Sequence, residues 1–181
     1  NVDLDDNLLV IDTTQAGFFP IGADIRFGKQ VDSDRTLALS DGRISLTAGT
    51  AGNVNFVGTV GGINPVQFLQ VTSGNEVTVG RVTARVGGAN GPGGLVSLTG
   101  NTVTVNGVLN VDAITTAAGP GEAGGQVLIT GRDVNLNNRV TANGGDGVVN
   151  VAGANFGGGS AGEIDIRATD SLSVNPTPDA E

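Results

Sequence analysis

Val96-Ser97-Leu98-Thr99-Gly100-Asn101-Thr102-Val103-Thr104-Val105 lies over Val127-Leu128-Ile129-Thr130-Gly131-Arg132-Asp133-Val134-Asn135-Leu136 without a gap. Each stretch alternates apolar and polar residues, breaks at a four-residue Thr-Gly corner, and alternates again. A period of two is the mark of a strand that buries one face. Val96, Leu98, Val103 and Val105 are therefore expected to point one way, and Ser97 and Thr104 the other. The pattern recurs with a five-residue corner at Leu69-Gln70-Val71 and Val77-Thr78-Val79, and at Ile164-Asp165-Ile166 and Leu172-Ser173-Val174. The first apolar positions are 69, 96, 127 and 164, so the copies are 27, 31 and 37 residues apart.

A third short apolar piece follows each pair: Val82-Thr83-Ala84, residues 108–113 and Val140-Thr141-Ala142. The variation in length falls outside the strands, in the glycine-rich stretches 87–94, 117–125 and 143–162. A repeat of such short strands cannot bury its apolar face alone, so it must stack on its neighbours. The expected fold is all-β, a parallel β-helix or β-solenoid with three short strands per coil. Its core columns would run through Leu69, Val96, Val127 and Ile164. Gly or Asn at the corners would supply positive φ, and Asn75, Asn101 and Asp170 share one corner position as a structural ladder. The apolar pairs Ile25/Phe27, Leu37/Leu39, Ile44/Leu46 and Val54/Phe56 extend the solenoid over residues 25–174. Residues 1–24 read as an N-terminal cap or docking strand, with Phe18-Phe19-Pro20 the only aromatic pair, and the proline-marked residues 175–181 as a linker.

Composition narrows the function. The 181 residues include 31 Gly and 6 Phe, but no Cys, Met, Trp, Tyr or His. The commonest general base, the commonest metal ligands and the thiol nucleophile are therefore missing. Lys29 is the only lysine. A net charge of −9 argues against a phosphate backbone as partner. Nucleic acid is excluded on that ground, and the scattered acids read as a solvated surface. No window has the roughly 18 apolar residues of a membrane-spanning helix. The start, Asn1-Val2-Asp3-Leu4-Asp5-Asp6, has neither a basic nor an apolar leader region; because it begins with Asn rather than Met, the expectation is that an N-terminal piece was removed or that the chain is part of something longer.

Residues 52–66 with Leu69-Gln70-Val71-Thr72, then residues 94–105 and 160–174, resemble the repeats of large filamentous-haemagglutinin-like exoproteins. The likeness covers most of residues 24–174. It implies a right-handed parallel β-helix, export across the outer membrane of a Gram-negative bacterium, often by two-partner secretion, and a role in adhesion or a surface coat. It carries over no catalytic or ligand residue.

The expected function is thus that of a secreted, extracellular or cell-surface structural protein, not an enzyme: an adhesin segment or the subunit of a fibre. The alternatives are a carbohydrate-binding or carbohydrate-degrading β-helix and a calcium-stabilised coat protein. Hydrolysis needs paired carboxylates. The outward positions Ser97, Thr104, Leu128, Asn135, Asp165 and Ser173 hold only one acid. An outward threonine rank of the kind that binds ice begins at Thr78 and Thr104 and is broken by Asn135 and Ser173. Asp3, Asp5 and Asp6 are candidate calcium ligands because hard cations take carboxylate oxygens; strand-edge charges account for them equally well, and no other cofactor is implied. Leu8-Leu9-Val10-Ile11 is apolar on both faces, as in a strand covered on both sides. With Leu172 and Val174 at the other end, this run is the candidate for head-to-tail association of the chain with itself. Host or surface glycans are a second class of partner.

Overall fold

Alternating aliphatic residues, many of them β-branched, form strands because branched side chains pack well on a pleated surface. The computed structural model describes residues 2–4, 8–14, 21–33, 42–87, 90–115, 118–148 and 157–175. Asp5, Asp6, Phe18-Phe19-Pro20, Leu37-Leu39 and residues 176–181 lie outside that set. Among the described residues there are sixteen strands and no helix. In chain order they are β1 (Val2–Leu4), β2 (Leu8–Asp12), β3 (Ile25–Phe27), β4 (Val31–Ser33), β5 (Arg43–Thr47), β6 (Val54–Phe56), β7 (Phe68–Thr72) and β8 (Glu76–Val79). They continue as β9 (Val82–Thr83), β10 (Asn90–Gly91), β11 (Leu95–Val105), β12 (Leu109–Asn110), β13 (Ile114–Thr115), β14 (Gln126–Leu136), β15 (Val140–Thr141) and β16 (Glu163–Val174).

Most of them join one strongly curled, mostly parallel sheet. Its first ladder runs β2, β5, β7, β11, β14, β16 and brings Leu9, Ile44, Leu69, Val96, Val127 and Ile164 into register. A second ladder runs β3, β6, β8 and then the later halves of β11, β14 and β16, aligning Ile25, Val54, Val77, Val103, Val134 and Leu172. The third aligns Val31, Val60, Val82, Leu109 and Val140, with β1 added beside β4. The column read from positions 69, 96, 127 and 164 is therefore the register of the structure.

These columns are the core. Val96, Leu98, Val103, Val105, Val127, Ile129 and Val134 are fully buried, whereas Ser97 and Thr104 are only half-buried. At one end of the second ladder Phe27 stacks on Phe56, with ring centroids 4.8 Å apart and planes 7° from parallel.

Two expectations are corrected. The Thr-Gly corners do not separate two short strands: β11 and β14 each run unbroken for 11 residues, and Gly100 pairs with Gly131 across the bend. Pairing survives because Gly100 sits buried on the inside of the bend, where a Cβ would come within 3.1 Å of Val77. The corner glycines Gly100 and Gly131 also do not take positive φ. Left-handed glycines stand at other turns, such as Gly22 (φ 68°) and Gly49 (φ 69°).

Polar corner residues are matched along the stack. Asn75 Nδ2 donates to Asn53 Oδ1 at 2.9 Å, and Asn53 donates its backbone N–H and Nδ2 to Asp24 Oδ1 at 2.8 and 2.9 Å. Asn137 Nδ2 donates to Asn106 Oδ1 at 3.0 Å. In the first glycine-rich stretch β10 pairs antiparallel with β13.

Candidate functional site

The parallel stack has two ends, and they are its least satisfied surfaces. At the C-terminal end, β16 pairs only with β14 among the described residues, so one edge of a 12-residue strand lacks a ladder partner. Ile164, Leu172 and Val174 are 45%, 51% and 57% exposed, while their register partners Val127, Val134 and Leu136 are 0%, 0% and 4% exposed. The side chains occupy the same columns; only the next layer is missing. Leu172 and Val174 were legible as end residues, whereas Ile164 belongs with them and was read only as a core position.

At the opposite end the first two ladders finish in β2 and β3. Leu9 and Ile11 are half-buried against the core. Leu8 and Val10 are 57% and 60% exposed, so within the single chain this strand alternates and its outer apolar face is open. The aspartate that closes β2 is held as an anion: Thr14 donates both Oγ1 and its backbone N–H to Asp12 Oδ1, at 2.6 and 2.8 Å. These bonds lower the Asp12 pKa below its ordinary value. The resulting stabilisation is present above the unfolded-state pKa and is lost as pH falls through the folded one.

A lateral cleft of about 620 Å³ lies along the entry to the first ladder. Its floor is a register column of Arg43, Phe68, Leu95, Gln126 and Glu163. The Arg43 guanidinium sits over the Phe68 ring, 5.6 Å from its centroid, and Gln126 Nε2 donates to Glu163 Oε2 at 2.6 Å. An aromatic face with a cation, an amide and a carboxylate suits a polar, ring-shaped ligand such as a sugar. Its one carboxylate offers no second acid or base for hydrolysis. Sequence reading missed this column because its chemistry changes at every copy. The signal lay in the residue just before the first buried position of each copy.

A second column was also missed. Thr47, Thr72, Thr99 and Thr130 align on the lateral face, with Asp12 at one end of the row and Arg167 at the other. The rank begun by Thr78 and Thr104 is interrupted by Asn135 and Ser173 as read from the sequence.

Two further arginines are paired with aspartates. Arg132 donates to Asp170 at 2.8 Å, and Arg167 to Asp165 at 2.6 Å. These contacts raise both arginine pKa values, chiefly through the hydrogen bond and then the charge of the partner. Both pairs are solvent-exposed, where such contacts contribute little. Arg132→Ala is accordingly expected to leave the thermal midpoint unchanged within error in a circular dichroism melt; a drop of several degrees would mean that the bend pair carries structural weight.

Of the candidate calcium ligands, Asp5 and Asp6 fall outside the described residues, and Asp3 is placed by its backbone beside Asp32. Among the described residues no three acidic side chains gather to hold a metal ion, and no helix is long and apolar enough to cross a membrane. Comparison with family models, curated proteins and solved structures gives no match.

Proposed function

We propose that the chain is an extracellular structural protein: a right-handed parallel β-helix that serves as a segment of a surface adhesin, or as the subunit of a fibre, on a Gram-negative bacterium. The observation that supports this most is the six-layer register of the first ladder, in which one aliphatic column continues from Leu9 to Ile164. Such a stack is a stiff scaffold whose layers each need their neighbours. The resemblance of residues 52–66, 69–72, 94–105 and 160–174 to filamentous-haemagglutinin-like repeats supports the same reading. In this role the chain does no chemistry; as a fibre subunit its partners are other copies of itself.

Far-ultraviolet circular dichroism is expected to show strand and almost no helix. A helical share above about a third, the ordinary value for globular proteins, would overturn the reading. Electron microscopy of the purified chain then separates its two forms, fibres for a subunit and single short rods for an adhesin segment.

The cleft at Phe68 favours a second reading, that of glycan-binding surface protein. On that reading Phe68→Ala abolishes capture on a glycan array while leaving the circular dichroism spectrum intact. Unchanged capture, or none by the parent chain, removes it.

A further inference from the structure

The outer face of the second ladder carries charges on every second layer at its two margins, one sign to each. Its entry column reads Asp24, Asn53, Glu76, Thr102, Asp133 and Ser171 from the first layer to the sixth. Acids stand in layers one, three and five. The opposite margin is the corner between the second and third ladders, residues 28–30, 57–59, 80–81, 106–108 and 137–139 in the first five layers. Lys29, Arg81 and Arg139 lie there, again in layers one, three and five, and no Asp or Glu does. Like charges directly opposite on neighbouring strands repel, which accounts for the skipped layers. It does not account for one sign on each margin.

In layers one and three these groups are open to a partner. Asp24 and Glu76 are exposed, and hydrogen bonds engage one carboxylate oxygen of each: Asp24 Oδ1 accepts from Asn53, and Glu76 Oε1 from Thr78. Lys29 and Arg81 are exposed and make no ion pair or side-chain hydrogen bond among the described residues. Asp32, two residues past Gln30 on the third ladder, is buried and accepts from Gln30 Nε2 at 2.7 Å. Layer five is already engaged, since Arg132 stands 3.9 Å from Asp133 and Arg139 has a contact within the chain.

We infer that this face docks on the same face of a second copy through layers one and three, the two stacks lying side by side and parallel about a two-fold axis that runs along them. Symmetry decides the arrangement. A two-fold along the stack keeps each layer opposite itself and exchanges the margins, so Asp24 faces Lys29 of the second copy, Glu76 faces its Arg81, and each pair occurs twice. A two-fold across the stack leaves each margin opposite itself, acid on acid and cation on cation. Between the margins, the column Arg26, Asn55, Thr78, Thr104, Asn135 and Ser173 meets its own copy. Amides and hydroxyls both donate and accept, so they pair with themselves; Arg26 alone opposes a like charge. The pairing uses neither end of the stack, so it goes beyond the proposed function and holds for a fibre subunit and an adhesin segment alike. Exposed ion pairs are weak singly and screened by salt, so the dimer is weak and salt-sensitive.

Sedimentation equilibrium of the full chain is the test. At about 20 mM salt, where screening is weak, a dimer is expected with a Kd below about 1 mM, and it should dissociate as salt rises to about 0.5 M. Lys29→Glu with Arg81→Glu makes both margins acidic, and Asp24→Lys with Glu76→Lys makes both basic. Each variant should self-associate at least about tenfold more weakly, an equimolar mixture of the two should form a 1:1 complex, and all four changes in one chain should restore the dimer. Arg26→Ser should tighten it, the opposite of what losing a cation does to a general attraction between cations and this acidic chain. Circular dichroism melts follow folding. If a charge reversal unfolds the chain, Lys29→Gln with Arg81→Gln replaces it, with a weakening of about tenfold expected. Where the chain forms fibres, the readout is filament width, double for the intact chain and single for either reversed variant. An intact chain that stays monomeric or single-width at low salt, reversed variants that pair as well as the parent, or a weaker dimer from Arg26→Ser would overturn the pairing.

Discussion

Val103→Asp is expected to abolish the cooperative thermal transition, while Thr104→Asp, one residue along the same strand, shifts its midpoint by no more than a few degrees. Val103 has no exposed surface and is flanked in its column by Val77 and Val134, both equally buried. An aspartate there must either shed its charge or be buried as an anion among aliphatic side chains. Either outcome costs several kcal/mol, against a total stability on the order of 5–15 kcal/mol for a domain. Thr104 faces the lateral surface between Thr78 and Asn135, where a carboxylate stays hydrated. Val134→Asp should behave as Val103→Asp does. The measurement is a circular dichroism melt of all three variants. Equal small shifts in the three would mean that the assignment of inward and outward faces is wrong.

Gly125→Ala should be nearly as damaging, and for a different reason. Gly125 lies where the chain enters the first ladder, beside Gly94 and Gly162 in the neighbouring layers. A Cβ at Gly125 would lie 2.1 Å from the Gly94 carbonyl oxygen and 2.7 Å from the Gly93 carbonyl carbon. These are backbone atoms already fixed by the ladder, since Gln126 N–H donates to the same Gly94 oxygen at 2.9 Å, so the layers must part to admit a methyl group. The expected loss is about 3 kcal/mol or more, at the upper end for overpacking. Gly28 is the control. It has open space around its Cα and a φ outside the left-handed range. Gly28→Ala should therefore stabilise by about 0.5 kcal/mol, through the unfolded chain alone. Denaturant titrations of the two variants give the comparison; a harmless Gly125→Ala would show that the layers can separate at this corner.

The strand register was legible in the sequence because the apolar column is written as a period of two at a near-constant offset. Val96 over Val127 needed no gap, and Leu69 and Ile164 followed from the same phase. What escaped was whatever lacks that signature. The continuity of β11 through Gly100 is invisible in a Thr-Gly-Asn-Thr string, which reads as a turn on residue preference alone. Only the pairing of neighbouring layers holds such a segment extended. The antiparallel pairing of Asn90–Gly91 with Ile114–Thr115 has no apolar alternation to announce it. The Arg43-to-Glu163 column was hidden because its members share a position and no chemistry. Thr72, Thr99 and Thr130 were read as the first residues of corners, although each is an outward residue of a strand. In the Leu8-to-Ile11 run, consecutive apolar residues suggested burial on both sides. A terminal strand with an uncovered lateral face produces the same string.

The unequal copies separate how long the molecule is from how much polypeptide it contains. Successive first-ladder strands beginning at Phe68, Leu95, Gln126 and Glu163 are 27, 31 and 37 residues apart in the chain. Each nevertheless advances the stack by one strand spacing, about 4.8 Å. The added residues fall between a third-ladder strand (β9, β12 or β15) and the next first-ladder strand, so they add polypeptide without adding a layer. The reach of the stack is counted in layers. Sequence inserted there can change what the surface displays while the distance from one end to the other stays as it was.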